Sequence, residues 1–253
     1  MTPGVDAGHA ALLLELERLA GGGPRPAGPA TVGDSSYTAG GRPYYGVSVP
    51  DRRRSVKEWL QANRALPAEA VLATAHSLLG GPSYEEKTLG AMILKEHRAA
   101  RSMVTPAMVD RWLDDLVGWG EVDSLCQSLF EADQLLDDWP GWRALVTDLS
   151  TSPNTNKRRA SLVLLTGPVR HSSDERLARL AFDTVDRLAP ERAILITKAV
   201  SWLLRSLVPR HREAVIAYLQ VAESLPAIAR RETRTLIETG TKSGRSGPGR
   251  RRS

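Results

Sequence analysis

The chain has 253 residues, of which 42% are hydrophobic and 25% are charged, as is typical of a soluble globular protein with a sizeable core. No run of eighteen apolar residues occurs, so no membrane-spanning helix is expected, and the N-terminal Ala/Leu segment lacks the basic flank of a signal peptide. The single cysteine, Cys126, excludes an internal disulfide and a multi-cysteine metal site. A reducing, cytoplasmic setting fits this cysteine usage. We also expect a monomer without metal or cofactor.

The formal net charge of +5 is distributed unevenly along the chain. Residues 1–150 have a net charge of −6, residues 151–239 one of +6, and residues 240–253 one of +5. An acidic first part and a basic second part predict a polyanionic partner at one end of the molecule. Nucleic acid is one candidate for that partner, and an ordinary solvated helical surface is the alternative.

Three regions follow one another along the sequence. Residues 1–43 combine a helix predicted over residues 5–20 with a Gly/Pro-rich segment over residues 21–43, which predicts a flexible or irregular connection. Residues 44–239 show regular helical patterning and are predicted to form the main domain. Residues 240–253 are rich in Gly, Ser and Arg, a composition typical of a disordered basic tail.

Prolines punctuate the main domain. Ten of them lie between residues 50 and 226, mostly 13 to 24 residues apart, which fits one helix plus one turn. Apolar residues recur at three- and four-residue spacing between them, for example in a helix predicted over residues 190–207, and period-two alternation is nearly absent. About ten helices of similar length predict an all-α solenoid of stacked antiparallel pairs of the HEAT class. A compact, non-repeating helical bundle is the alternative.

Familiar catalytic signatures are missing, and the five histidines lack the spacing of metal ligands. Carboxylates, arginines and aromatic residues remain as candidates. Trp119 and Asp123 lie four residues apart, so on a helix they share one face. Asp123 has less polar sequence neighbours than most acids of this chain, although a salt bridge or a helix cap would also explain it. Ordinary core packing would explain Trp119.

A second candidate lies in a late helix. Trp202 follows Lys198 by four residues and precedes Arg205 by three, so the helix face that carries it is basic. A Trp between two cations suits docking of a sugar-phosphate backbone. A Trp at the margin of the hydrophobic core is the alternative.

In this order, the residues resemble the motifs of the HEAT-like-repeat DNA glycosylases, the AlkD-type DNA alkylation repair family. The motifs that carry the resemblance are Tyr37 ahead of Tyr45-Gly46-Val47-Ser48-Val49-Pro50, Arg52-Arg53, Trp119 with Val122-Asp123, Arg159-Ala160, Lys198-Ala199-Val200-Ser201-Trp202-Leu203-Leu204-Arg205, and Arg230-Arg231-Glu232. The resemblance implies a right-handed superhelical solenoid of antiparallel HEAT-like helix pairs with a concave basic cleft. The implied partner is double-stranded DNA with an alkylated purine, in the cytoplasm at the nucleoid.

The resemblance also implies an activity, hydrolysis of the N-glycosidic bond of cationic N3- or N7-alkylpurines, without base flipping, in base excision repair or self-resistance to DNA-alkylating natural products. Asp123 would stabilise the oxocarbenium-like deoxyribose and position a water, and Trp119 and Trp202 would flank the sugar. Arg159 would orient Asp123 or hold a phosphate, and Tyr37 would close the cleft. Further DNA contacts are expected from Arg158, Lys198, Arg205, Arg230 and Arg231.

Two features depart from the family pattern. Members commonly have an aromatic residue before the catalytic Trp and an acid after it, where this chain has Gly118 and Gly120, so a roomier pocket and a looser backbone are expected. The long segment 21–43 is also unusual. A non-catalytic α-solenoid that binds DNA, RNA or protein is the alternative function.

Overall fold

The computed structural model describes residues 7–26, 41–129 and 131–244. Within these ranges it contains thirteen α-helices, no β-strand and one isolated antiparallel bridge, between Arg25 and Tyr44. The prediction of an all-α fold made of packed helices is therefore confirmed. None of the described helices is both long and apolar enough to cross a membrane.

The chain divides into two compact units, residues 1–129 and residues 130–253. The first unit contains α1 (Ala7–Ala20), α2 (Val49–Ala62), α3 (Ala68–Leu79), α4 (Tyr84–Glu96), α5 (Arg98–Ser102), α6 (Pro106–Leu113) and α7 (Gly118–Leu129). The second unit contains α8 (Ala132–Asp137), α9 (Trp139–Thr151), α10 (Thr155–His171), α11 (Glu175–Leu188), α12 (Ile194–Val221) and α13 (Ala227–Thr239).

The first unit is built around α4, which is buried along most of its length and packs against α2, α3, α5 and α7. Its residues Leu89, Ile93 and Leu94 are fully buried. A capping box begins the helix, because the Ser83 hydroxyl accepts the N–H of Glu86 and the Glu86 carboxylate accepts the N–H of Ser83. The sequence Ser-x-x-Glu before an apolar run therefore sets where this central helix starts.

The polypeptide that leads into α2 is fastened to the start of α4. The carboxylate of Glu85, which is 2% exposed, accepts the backbone N–H groups of Tyr45 and Gly46, each at 2.9 Å. The backbone N–H of Tyr84 donates to the carbonyl of Pro43 at 3.0 Å. A buried carboxylate with two backbone donors stays satisfied in the core and holds this irregular stretch in place.

The second unit is built around α10, which packs against α8, α9, α11 and α12. The apolar run from Leu162 to Leu165 is buried on all sides, because neighbouring helices cover α10 on more than one face. Asn154 begins α10, and its side chain accepts the N–H of Asn156 at 2.8 Å. The long helix α12 packs in turn against α11 and α13.

Two prolines lie inside helices, and the prediction that the prolines separate helices is wrong at the first of them. Pro168 lies within the last turn of α10, and Pro209 lies within α12. In α12 two helical segments meet at a kink at His211 (φ −130°, ψ 37°), two residues after Pro209, so a boundary lies close to the end of the predicted range 190–207. A proline removes one intrahelical hydrogen bond, so a helix kinks or ends close to it.

Candidate functional site

Trp119 and Asp123 both lie on α7, so the predicted helix and the shared face of the two side chains are confirmed. Both residues are half-buried. The neighbouring residues Val122 and Leu125 are fully buried and attach the helix to the core of the first unit. Helix α7 therefore presents an indole and a carboxylate at the border between the core and the solvent.

The start of α7 depends on a glycine and a buried acid. Gly118 has a φ of +71°, a backbone conformation that L side chains rarely adopt. Apart from the chain neighbours of Gly118 and the adjacent backbone of α7, no described atom lies within 4 Å of a Cβ atom placed there, so the positive φ and not crowding favours glycine. The N–H of Val117 donates to the carboxylate of Glu121 at 2.9 Å, which satisfies a donor at the N-terminus of the helix. Gly118 is therefore required by the backbone turn that precedes Trp119.

Glu121 is a residue of this site that the sequence analysis missed. Its side chain is 2% exposed and binds the guanidinium of Arg42, with the Nε atom 2.9 Å and 3.0 Å from the two carboxylate oxygens. Burial raises the pKa of Glu121, and the Val117 N–H and the charges of Arg42 and Lys87 only partly oppose this shift. The pairing joins residues 79 positions apart, so no local pattern announces it.

The Arg158–Arg159 pair lies in the first two turns of α10, in the second unit. Arg159 is 5% exposed, and its guanidinium donates to the carbonyl of Leu195. Arg158 forms a two-pronged ion pair with Glu191, at 2.6 Å and 3.1 Å, and donates to the carbonyl of Ser152 at 2.7 Å. Arg158 thus fastens the segments that follow α9 and precede α12 to α10, and Arg159 fastens the first turn of α12 to it. The DNA contacts predicted for these two arginines stay predictions.

On α12, the structure places Lys198, Trp202 and Arg205 at the predicted helical spacing. Lys198 is exposed, and Trp202 and Arg205 are half-buried. The other side of this helix is core, since Ala199 and Leu203 are fully buried. The second unit therefore carries a partly accessible indole flanked by two cations on one face.

The cation at the end of this face is already paired. Arg205 Nε lies 3.5 Å from the carboxylate of Glu232, which also accepts the Ser201 hydroxyl at 2.6 Å and lies 3.3 Å from the Lys242 ammonium. Burial lowers the pKa of Arg205; the Glu232 charge opposes this shift and Arg170 adds to it. Burial alone would raise the pKa of Glu232, but its hydrogen bonds and the charges of Lys242 and Arg205 together lower it. The cluster holds more positive than negative charge.

The remaining candidates have different surroundings. Arg230 donates to the carbonyl groups of Leu219, at 2.7 Å, and Ala222, at the C-terminal end of α12. Arg231 is exposed on α13. Tyr37 lies outside the described residues. No group of three or more His, Cys, Asp or Glu side chains arranged to hold a metal ion occurs in the described part of the chain.

Comparison with known proteins places these features in a family. Residues 31–237 match the family described as "DNA alkylation repair enzyme". A solved structure, described as a "Predicted DNA alkylation repair enzyme from Enterococcus faecalis", superimposes with a TM-score of 0.62 at 15% sequence identity, covering 92% of this chain and 94% of that one. No curated protein sequence gives a significant match. Because the family match spans most of the sequence, the chain belongs to the DNA alkylation repair enzyme family.

Proposed function

We propose that this protein is a monofunctional DNA glycosylase that hydrolyses the N-glycosidic bond of cationic alkylated purines in duplex DNA. One observation carries the proposal. In a member of the DNA alkylation repair enzyme family, an indole and a carboxylate share one face of α7, both half-buried at the edge of the core. An acid in this position is accessible to a substrate and is partly shielded from bulk solvent.

The chemistry asks little of the protein beyond that carboxylate. A purine alkylated at N3 or N7 is positively charged, so it leaves as a neutral base without a strong general acid. As its bond to C1′ breaks, the deoxyribose becomes an oxocarbenium-like cation. Asp123 stabilises this cation electrostatically, and the face of Trp119 adds a cation–π attraction.

A water molecule completes the hydrolysis. The water oxygen bonds to C1′ as the C1′–N bond breaks, and the electron pair of that bond goes to the purine. The proton lost by the water passes to the Asp123 carboxylate or to solvent. The products are the free base and an abasic site, so the DNA backbone stays intact.

The second unit supplies DNA contacts in this proposal. Lys198 and Arg205 bind backbone phosphates, and Trp202 packs against a deoxyribose of the bound DNA. Arg159 and Tyr37 contribute to DNA binding in this proposal. The exposed cation and the half-buried indole on one face of α12 support these roles.

We further propose that the lesion is held through its backbone and is not flipped into a pocket, which would admit bulky adducts as well as methyl groups. Glycines on both sides of Trp119 place no side chain against it, which fits a large substrate and a role in self-resistance. In this proposal the protein acts as a monomer on the DNA of the cytoplasmic nucleoid.

The test is base release by an isosteric variant. Asp123→Asn should lower single-turnover release of N3- and N7-alkylpurines by at least about 100-fold, the usual effect of removing one preorganised electrostatic group. Its affinity for duplex DNA should stay within about 3-fold, because phosphate contacts dominate affinity. Asp114→Asn, which alters an exposed aspartate at the end of α6, is the matched control and should react like wild type.

Two outcomes would reject the enzyme. Undiminished release by Asp123→Asn would remove the proposed catalytic group. If wild-type protein binds DNA but releases no base from methyl or bulky N3 adducts, as measured by mass analysis of the freed bases, a non-catalytic binding scaffold becomes the function.

A further inference from the structure

Glu121 lies on the opposite side of α7 from the two candidate active-site residues. It is two positions after Trp119 and two before Asp123, and each position turns an α-helix by about 100°. A rotation of about 200° from either neighbour points the Glu121 side chain away from their shared face. Its exposed fraction of 2% shows that this side is buried.

The buried side of α7 is attached by charge as well as by apolar packing. The Glu121 carboxylate accepts the Val117 N–H, the last donor before the helix, at 2.9 Å. It also binds Arg42 Nε at 2.9 Å. Arg42 precedes α2, so this ion pair joins the start of α7 to a distant part of the first unit.

A second set of contacts fixes the turn between α6 and α7. Arg42 Nη2 donates to the Asp115 carboxylate at 2.9 Å and to the Asp115 carbonyl. The ammonium of Lys87, whose side chain is fully buried, donates to the other Asp115 oxygen and to the Leu79 carbonyl. Arg42 thus bridges two carboxylates, one on each side of Gly118.

A buried ion pair is weak evidence of a stabilising role, because desolvation offsets most of the attraction between the charges. The same ion pair can still determine the orientation of α7 and of Asp123. A carboxylate that must face a developing sugar cation loses effect when it moves by about 1 Å. The Glu121–Arg42 pair fixes the one end of α7 at which Gly118 leaves the backbone free to adopt another conformation.

We propose that Glu121, held by Arg42, is a positioning residue that sets the orientation of Asp123 by clamping the N-terminus of α7. This inference rests on the proposed glycosylase function. Glu121 does not touch the substrate in this scheme. Its effect reaches the reaction only through the placement of α7.

The primary test is Glu121→Gln, which keeps an oxygen for the Val117 N–H and removes the charge that holds Arg42. We expect single-turnover base release to fall about 10-fold or more, in line with a displacement of about 1 Å, while DNA affinity stays within about 2-fold. Backbone amides of the first turn of α7 should exchange faster with deuterium. Arg42→Gln breaks the same pair from its other side and should reproduce both effects, even if Glu121→Gln fails to fold.

Glu86→Gln is the matched control. Glu86 is equally buried, at 2% exposure, and pairs with His9 Nε2 at 2.9 Å, on the α1 side of the first unit. This variant removes a buried charge and should lower stability without slowing base release or changing hydrogen exchange in α7. A purely structural role for Glu121 predicts that both variants behave alike.

The outcomes separate the two proposals. If Asp123→Asn is inactive while Glu121→Gln releases base at the wild-type rate, the positioning role is overturned and the glycosylase stands. If wild-type protein releases no base, the glycosylase fails. In that case amide hydrogen exchange still tests the role of Glu121. If the amides at the start of α7 exchange equally fast in Glu121→Gln and in wild type, the ion pair between Glu121 and Arg42 does not hold the N-terminus of α7.

Discussion

Replacing Lys198 and Arg205 by alanine, singly, tests the basic face of α12 through the salt dependence of DNA binding. Each phosphate neutralised by a cation contributes about 0.9 to the slope of log K against log salt. Between about 50 and 200 mM salt, one such contact accounts for about a 3.5-fold loss of affinity. The two side chains are predicted to differ in this measurement because their surroundings differ.

Lys198 is exposed, so its charge is available to a phosphate and Lys198→Ala should lower the slope by about 0.9. Arg205 shares its charge with Glu232 at 3.5 Å, so Arg205→Ala should lower the slope by clearly less. Glu232→Gln removes the competing carboxylate. It should strengthen DNA binding by about 2- to 5-fold, the equivalent of about 0.5 to 1 kcal/mol for one ion pair.

Fluorescence anisotropy with a labelled duplex, titrated at four or five salt concentrations, measures these slopes directly. Lys57→Ala, which removes an exposed cation from α2 in the first unit, serves as the control. An unchanged slope in Lys198→Ala, or weaker binding by Glu232→Gln, would refute the reasoning that this face of α12 binds phosphate.

Two further predictions concern α7. Gly118→Ala should lower the free energy of unfolding by about 1 to 2 kcal/mol, because φ is +71° at this position, and Gly118→Asn should lower it less, since Asn tolerates this conformation. Urea denaturation measures both changes. Equal stability of the wild-type protein and the two variants would contradict the argument from the backbone. Burial raises the pKa of Glu121 in the folded protein above its pKa in the unfolded chain. The contribution of this group to the free energy of unfolding is therefore complete at a pH below its pKa in the unfolded chain, and it is lost as the pH rises through its pKa in the folded protein. Glu121→Gln should therefore flatten the decline in unfolding free energy over that range, and a decline equal to that of wild type would assign the titration to another group.

The sequence analysis predicted the elements that depend on local spacing. The shared faces of α7 and α12 follow from residues three and four positions apart, which neighbour one another on any helix. The charged network of Arg42, Lys87 and Glu121 was not predictable, because its members come from three separate segments of the chain. Glu121 did carry one local signal, since a Glu three residues after Gly118 can accept a donor at the start of a helix.

The prolines show where a local sequence preference predicts a helix boundary and where it does not. Pro140 lies near the start of α9 and was correctly interpreted as a boundary between helices. Pro168 has the same local preference, yet it lies inside the last turn of α10. Packing of α10 against α8, α9, α11 and α12 outweighs the lost hydrogen bond, and only the tertiary structure shows that.

Adjacent arginines on α13 provide a matched pair that separates folding from DNA binding. Arg230 donates to the carbonyls of Leu219 and Ala222, which close the C-terminal end of α12. Arg231, one position later, is exposed. The two adjacent guanidinium groups thus differ: that of Arg230 is hydrogen-bonded to backbone carbonyls, and that of Arg231 faces the solvent.

Arg230→Ala should therefore lower the free energy of unfolding by about 2 kcal/mol, since it removes charged hydrogen bonds to two carbonyls. Arg231→Ala should change stability by less than about 0.5 kcal/mol and weaken binding to any duplex, with a smaller salt slope. Denaturation and anisotropy on the same two variants measure both effects. The opposite assignment, with Arg231→Ala unstable and Arg230→Ala impaired only in binding, would show that the contacts at the end of α12 do not hold this helix in solution.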